Sequence, residues 1–194
     1  MSTSTDTPAL PRNRADLISQ FNQGQRPTLL HFWGHTPPKT AGVNNSCFSQ
    51  WWAGHPFTHE GTHYATAEHF MMAGKARLFG DEETLAKILS AKTPGEAKKL
   101  GRLVRNFDDR LWKTARWDIV VQGNLAKFSQ HPELAEHLLK TGDAILVEAS
   151  PFDRICGIGM AASNPKADNP DQWQGQNLLG FALVEVREQL KTRQ

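Results

Sequence analysis

Three short segments of the 194-residue chain carry polar residues in patterns that could act on a ligand. The first spans residues 66–80, where Thr66 can cap a helix that ends at Gly80. Glu68 lies in its first turn, and Lys75 follows seven residues later on the same face. Helix capping alone explains a first-turn glutamate, and spacing favours that interpretation. The alternative is a catalytic carboxylate beside a cation that binds substrate.

The second segment couples acidic residues to a pair of glycines. A hydrophobic strand over 144–149 leads into a turn with Asp153, followed by Gly157 and Gly159. Such glycines let a ligand or another backbone approach closely, and free amides there can hold phosphate. The pattern lacks the third glycine of a dinucleotide fingerprint. A plain turn between two strands is the simpler interpretation.

The third segment, residues 173–180, reads WQGQNLLG and precedes the last predicted helix. Asn177 is placed to cap that helix, and capping alone would explain it. A polar side chain and free amides at a helix N-terminus can also hold an anion or a sugar hydroxyl.

Other common catalytic groups lack a supporting pattern. Four histidines lie close in sequence, but they form neither HExxH nor a ligand set with the cysteines, so we expect no metal: His55, His59, His63 and His69. Cys47 and Cys156 have no CxxC spacing and no local nucleophile signature. Ser46 and Ser150 lack the GxSxG context of a nucleophile elbow.

Composition restricts the class of protein further. The chain has 22 basic and 20 acidic residues, a formal charge of +2, which argues against a polybasic nucleic-acid binder. It has no long apolar run and no signal-peptide pattern, so we expect a cytoplasmic protein without membrane partners. Six tryptophans against one tyrosine are an excess that needs an explanation.

Hydrophobic periodicity and capping signals predict the elements that must position these residues. Helices dominate, and the few short strands do not alternate as βαβ units, so we expect one α+β domain over residues 29–194. Residues 1–28 are expected to form a partly flexible extension whose first ten residues are a tail. The predicted elements are a helix at 14–23, a strand at 29–33, a hairpin at 57–64, helices after Thr66, Asp81, Thr93 and His131, a long helix at 109–130, a strand at 144–149 and a helix at 177–191.

Many short motifs in one order resemble the NADAR family of YbiA-like N-glycosidases. The resemblance covers nearly the whole chain after the N-terminal extension. Its motifs are Phe48-Ser49, Ala67-Glu68-His69-Phe70, Lys75-Ala76, Gly101-Arg102, Trp112, Lys127-Phe128-Ser129-Gln130, Thr141-Gly142, Leu146-Val147-Glu148, Asp153 with Gly157-Ile158-Gly159, and 175–180.

The resemblance implies hydrolysis of a C–N glycosidic bond without a metal or organic cofactor. Family members act on phosphorylated ribosylaminopyrimidine intermediates of riboflavin biosynthesis, or remove ADP-ribose from guanine in nucleic acid. It also implies a compact, helix-rich α+β fold. A different class, a non-catalytic module that binds ADP-ribose or a related nucleotide in the same pocket, is the alternative.

The resemblance also assigns roles to individual residues. Glu68 is the first catalytic carboxylate, which stabilises positive charge at the anomeric carbon or activates water. Asp153 is the second, binding ribose or assisting with the proton. The substrate-binding residues implied are Lys75 and Arg102 for phosphate or the departing base, Trp112 for the base, Gly157, Gly159 and Asn177 for the ribose phosphate, and Glu148.

Two positions depart from the family pattern. Gln50 stands where the family often has Asn, and Cys156 stands where it usually has Trp. If that Trp stacks on the base, we expect Trp173 to supply the missing ring. Trp33 and Trp117 are expected to be core residues.

Overall fold

Helices predominate in the computed structural model, which describes residues 10–40 and 42–193. Its strands pair in two small sheets, so the α+β prediction is confirmed. Nine of the ten residues in the predicted tail lie outside the described residues. The helices are α1 (Arg14–Asn22), α2 (Ala67–Leu78), α3 (Glu82–Leu89), α4 (Pro94–Gly101), α5 (Asp109–Gln130), α6 (Pro132–Leu139) and α7 (Leu178–Lys191); the strands are β1 (Leu29–Phe32), β2 (Phe57–His59), β3 (Thr62–Tyr64) and β4 (Ile145–Glu148). None of the helices described is long and apolar enough to cross a membrane.

Local capping determines where the helices around the site begin. The predicted caps Thr66, Asp81 and Thr93 each accept a backbone N–H from three residues ahead. Glu96 reaches back from the first turn of α4 and accepts the N–H of Lys92 at 2.8 Å. These side chains satisfy amides that a helix start otherwise leaves unpaired, so the starts of α2 and α4 follow from local sequence.

The central strand pair joins two distant parts of the chain. β1 pairs in parallel with β4, and the register places Phe32 opposite Glu148. The whole helical segment from α2 to α6 lies between these strands in sequence. This parallel pairing is not visible in the local sequence pattern, because its two strands share no nearby turn.

Strand β4 is buried on both faces, and each face belongs to a different hydrophobic cluster. Leu146 packs in the larger cluster with residues of α2, α5 and α7. Ile145 and Val147 pack in the smaller cluster with Leu17 of α1. Helix α1 is therefore packed against the rest of the protein, although the boundary of the domain at residue 29 stays a prediction.

Two of the tryptophan expectations have different outcomes. Trp117 is half-buried and packs against both clusters. Trp33 is 58% exposed, so the prediction that it is a core residue is wrong. Trp33 follows the apolar residues 29–32, which suggested that it is buried with them. Strand β1 ends at Phe32, however, so Trp33 lies outside the sheet.

Helix α7 packs directly on β4 at a glycine. A Cβ at Gly180 would overlap the backbone carbonyl oxygen of Leu146 and the side chain of Asn177. We expect Gly180→Ala to lower the free energy of unfolding by about 3 kcal/mol, because backbone cannot move aside as a flexible side chain can. Denaturant unfolding monitored by circular dichroism measures the difference.

A helical glycine with room around it is the matched control. A Cβ at Gly95 of α4 would make only ordinary contact with the ring of Trp51, at 3.5 Å. We expect Gly95→Ala to leave stability unchanged or to raise it slightly. Equal stabilities for the two alanine variants would contradict the close approach of α7 to β4.

Candidate active site

Three acidic side chains from separate parts of the sequence meet in one electrostatic cluster with a lysine. Glu68 comes from the first turn of α2, Glu148 from the last residue of β4, and Asp153 from the turn that follows β4. Lys98 of α4 interacts with all three. We call these four residues the acidic cluster.

Glu68 is buried at the start of its helix, with 4% of its surface exposed. Its backbone N–H donates to the carbonyl oxygen of Gln50 at 2.9 Å. Burial raises its pKa to about 7, and repulsion from Asp153 adds to the rise. Lys98, the nearby Trp51 side chain and Arg102 oppose the rise and favour the carboxylate. Glu68 can therefore exchange a proton near neutral pH.

Glu148 has a higher pKa than Glu68 and is therefore protonated to a greater extent at neutral pH. Burial raises its pKa to about 8, and repulsion from Asp153 raises it further, while Lys98 acts in the opposite direction. Its Oε2 atom is buried and has no hydrogen-bond partner among the residues described. A carboxyl group with a pKa of about 8 carries a proton at neutral pH, so its O–H can donate a hydrogen bond or a proton.

Asp153 is held by backbone amides. Its Oδ1 accepts the N–H groups of Ile155 and Cys156, both at 2.8 Å. Its Oδ2 lies 3.5 Å from Nζ of Lys98. Backbone amides and an ammonium group are partners of a carboxylate rather than of a neutral acid, so Asp153 is the fixed anion of the acidic cluster.

Lys98 and Trp51 are functional candidates that sequence reasoning did not assign. Burial alone would lower the Lys98 pKa, but the carboxyl groups of Glu68 and Asp153 outweigh burial and raise it. Its Nζ also lies 5.9 Å from the centre of the Trp51 ring. The capping signal of α4 was visible in the sequence, but which of its lysines points inward depends on how the helix docks.

The two predicted glycines, Gly157 and Gly159, lie in the turn that follows β4, where the backbone packs closely. A Cβ at Gly157 would lie 2.9 Å from the carbonyl oxygen of Glu148 and 3.0 Å from that of Asp153. The N–H of Gly159 donates to the backbone carbonyl oxygen of Asp153 at 3.1 Å. Gly157 thus allows the turn to fold back closely on β4, as the sequence pattern suggested, but no second strand follows the turn in residues 149–193, so the interpretation as a turn between two strands is wrong.

Asn177 has two backbone partners on β4. Its Oδ1 accepts the N–H of Glu148 and its Nδ2 donates to the carbonyl oxygen of Leu146, each at 2.9 Å. It does not cap α7 through its side chain, and its φ of 55° is left-handed. The Asn177 side chain therefore fixes the end of β4 at Glu148. The contact of Asn177 with the substrate stays a prediction.

Lys75, Arg102 and Trp112 gather beside α4. Nζ of Lys75 donates to the carbonyl oxygen of Gly101 at 2.8 Å and lies 5.8 Å from the Trp112 ring. Burial lowers the pKa of Lys75. Arg102 is near enough to stabilise the Glu68 carboxylate. Of these three residues, Arg102 borders the acidic cluster, and the Lys75 ammonium lies 4.1 Å from the centre of the Phe107 ring.

Comparison with known proteins identifies the family. The NADAR domain model matches residues 31–191. The chain belongs to the NADAR family. It is 46% identical to the N-glycosidase R617 of Acanthamoeba polyphaga mimivirus over 126 residues, 65% of this chain and 74% of that protein. It is 32% identical to the N-glycosidase YbiA of Escherichia coli over 163 residues, 84% of this chain and 89% of that protein.

A solved NADAR structure has the same fold. The NMR structure of Escherichia coli YbiA superimposes with a TM-score of 0.68 at 29% identity, covering 87% of this chain and 88% of that chain. Another relative, the N-glycosidase Npun_R5314 of Nostoc punctiforme, is 35% identical over 145 residues, 75% of this chain and 85% of that protein.

The two departures from the NADAR pattern have distinct surroundings. The Gln50 side chain accepts from Nδ2 of Asn124 at 2.8 Å. Cys156 is buried beside the acidic cluster, where burial raises its thiol pKa well above the usual range, so the thiol stays protonated. Trp173 is not in that place: its indole donates to Ala167, and its ring packs in the smaller hydrophobic cluster. The prediction that Trp173 replaces the missing ring is therefore wrong, whereas the Trp51 side chain is near enough to Glu68 to lower its pKa.

Proposed function

We propose that this NADAR protein hydrolyses the N-glycosidic bond between a ribosyl group and a base. The observation that carries the proposal is the acidic cluster, in which two buried carboxyl groups of raised pKa face a fixed carboxylate. Named N-glycosidases among its relatives support the same reaction class. The expected cytoplasmic location remains a prediction from the sequence.

The proposed chemistry uses the three carboxyl groups differently. Cleavage breaks the C1′–N bond, the electron pair goes to the base, and positive charge develops on the sugar. Ionised Asp153 stabilises that charge, and ionised Glu68 accepts a proton from the water whose oxygen bonds to C1′. Glu148 carries a proton at neutral pH, so it suits protonation of the leaving base better than Asp153 does. Activity should therefore rise through the pKa of Glu68 and fall through that of Glu148.

The proposed substrate is a phosphorylated ribosylaminopyrimidine or an ADP-ribosylated guanine. Lys75 and Arg102 would hold phosphate, and Trp112 would border the base. Phe152, 87% exposed, stands next to Asp153 and could stack on a base near the reacting one. The alternative function, a module that binds ADP-ribose without cleaving it, would use the same contacts but would return the ligand intact.

One experiment separates these functions. The purified protein is incubated with a ribosylaminopyrimidine phosphate or with an oligonucleotide that carries ADP-ribosylated guanine, and free base and sugar are followed by mass spectrometry. Hydrolysis should release the base in many turnovers and incorporate ¹⁸O from labelled water into the sugar. Stoichiometric binding with both ligands recovered unchanged would replace the hydrolase by the binding module.

Matched Trp→Phe variants test which tryptophan serves the site. Trp51→Phe removes the indole N–H that favours the Glu68 carboxylate, so we expect kcat to fall about tenfold and the rising limb of the pH–rate profile to move above pH 7. Trp173→Phe removes only the bond to Ala167 and should lower stability with little change in kcat. Initial rates at several pH values measure both effects, and a larger loss of kcat for Trp173→Phe would contradict this assignment.

A further inference from the structure

Helix α5 contains a buried cation that the proposed chemistry does not use. Lys127 is 1% exposed, and its Nζ donates to the carbonyl oxygens of Cys47 at 2.5 Å and Ser49 at 3.1 Å. Burial lowers its pKa to about 8. In residues 10–40 and 42–193, no carboxylate forms an ion pair with it. A buried ammonium group without a counter-charge is costly, so its position calls for a physical reason.

The two carbonyl groups belong to a short segment, residues 47–51, that contacts Glu68 in the folded protein. Oγ of Ser49 accepts the N–H of Trp51 at 3.1 Å. The carbonyl oxygen of Gln50 accepts the N–H of Glu68 at 2.9 Å. One helical turn before Lys127, Asn124 donates to the Gln50 side chain at 2.8 Å. One face of α5 therefore holds this segment at several points.

The same segment supplies two of the contacts around Glu68. The carbonyl oxygen of Gln50 accepts the Glu68 backbone N–H, and the Trp51 side chain lies close enough to the Glu68 carboxyl group to favour its ionised form. A displacement of residues 47–51 would move both contacts together. Shifts of about 1 Å in catalytic groups can reduce rates about 100-fold even when the altered residue is remote.

We propose that Lys127 is a positioning residue for the hydrolytic site, which sets the contacts of Gln50 and Trp51 with Glu68 by holding the carbonyl oxygens of Cys47 and Ser49. It acts through the backbone and does not touch the reacting atoms. This inference rests on the proposed hydrolytic function, because its kinetic consequence is a change in the hydrolysis rate.

A double-mutant cycle tests the route of the effect. Lys127→Met removes the ammonium group while retaining an unbranched side chain, and we expect kcat to fall about 10- to 100-fold with a smaller change in KM. In the Trp51→Phe background, Lys127→Met should lower kcat by a much smaller factor, because the contact of the Trp51 indole with Glu68 is already absent. Equal fold-losses in both backgrounds would overturn the proposed route.

Arg187 supplies a matched control. It is also a fully buried cation on backbone oxygen, with its NH1 at 2.7 Å from the carbonyl oxygen of Ala144. Arg187→Met should lower stability about as much as Lys127→Met, yet leave kcat and the pH–rate profile unchanged. A similar loss of kcat in both variants would mean that Lys127 acts only through general stability.

A readout without substrate keeps this inference separate from the proposed function. The indole N–H signal of Trp51, assigned in NMR spectra with the Trp51→Phe variant, should titrate with Glu68 near pH 7 in the wild-type protein. In Lys127→Met, we expect that titration to disappear or to move to higher pH. An unchanged titration overturns the positioning role, whereas an inactive wild-type protein with the expected NMR change overturns only the hydrolase.

A second substitution covers the case in which Lys127→Met does not fold. Lys127→Gln keeps an N–H donor that can reach one of the two carbonyl groups, so it should fold and show an intermediate loss of kcat and a partial shift of the Trp51 signal. Wild-type kinetics and titration in this variant would contradict the proposal.

Discussion

Glu68→Gln is expected to reduce kcat by about 10²- to 10⁴-fold, because an amide can neither accept the proton of water nor present a negative charge to the sugar. Glutamine keeps the size of the side chain and an oxygen that can accept a hydrogen bond, so the pocket should keep its shape. Binding of substrate should change little. The rising limb of the pH–rate profile near pH 7 should vanish, since it reports the titration of Glu68.

The surface of the protein offers a control at the same helical position. Glu83 is also the second residue of its helix, α3, but it is exposed and pairs with Lys87 at 2.7 Å. If Glu68 served only the helix dipole, Glu68→Gln and Glu83→Gln would have the same small effects on stability and none on rate. Full hydrolytic activity in folded Glu68→Gln would remove Glu68 from the mechanism.

Glu148→Gln is expected to stabilise the protein at alkaline pH while it impairs the reaction. The folded-state pKa of about 8 lies above the ordinary glutamate value of 4.5, so the native state binds more protons than the unfolded state between these values. The free energy of unfolding of the wild-type protein should therefore fall as pH rises through this interval. Removing the ionisable group should recover about 5 kcal/mol above pH 8.

Urea unfolding at pH 5 and at pH 9 measures this difference. Glu148→Gln should resemble the wild type at pH 5 and exceed it at pH 9, with kcat reduced because the proton donor is lost. Glu136→Gln is the control, since Glu136 is exposed and its pKa is lowered by Lys140, so its substitution should not reproduce the alkaline gain. Equal pH dependence for the wild type and Glu148→Gln would mean that Glu148 is not held protonated by burial.

Both predictions concern a site whose buried carboxyl groups lower the stability of the fold but can transfer protons near neutral pH. Three carboxyl groups and one lysine are held together at the end of β4, where burial disfavours ionisation and Asp153 repels Glu68 and Glu148. Well-packed polar isosteres would be more stable there, but they could not move protons. Asn177 and the turn at Gly157 hold Glu148 in this unfavourable position.

The local elements were predictable from the sequence because their causes are local. Thr66, Asp81 and Thr93 mark helix starts through side chains that bond amides three residues away, and Gly61 with its φ of 74° marks the hairpin turn. Motif order also identified the NADAR family. Glu68 was recognised as a candidate, although capping alone could have explained it.

The tertiary structure alone decided which of these residues share an environment. Lys98 and Trp51 became part of the site because α4 and residues 47–51 dock against Glu68, and Trp173 was excluded because it packs in the smaller cluster of β4. Such relations depend on strand pairing and helix docking between distant segments, for which a single sequence has no local signal. The protonation states followed in turn, because desolvation is a property of the folded pocket and not of a residue type.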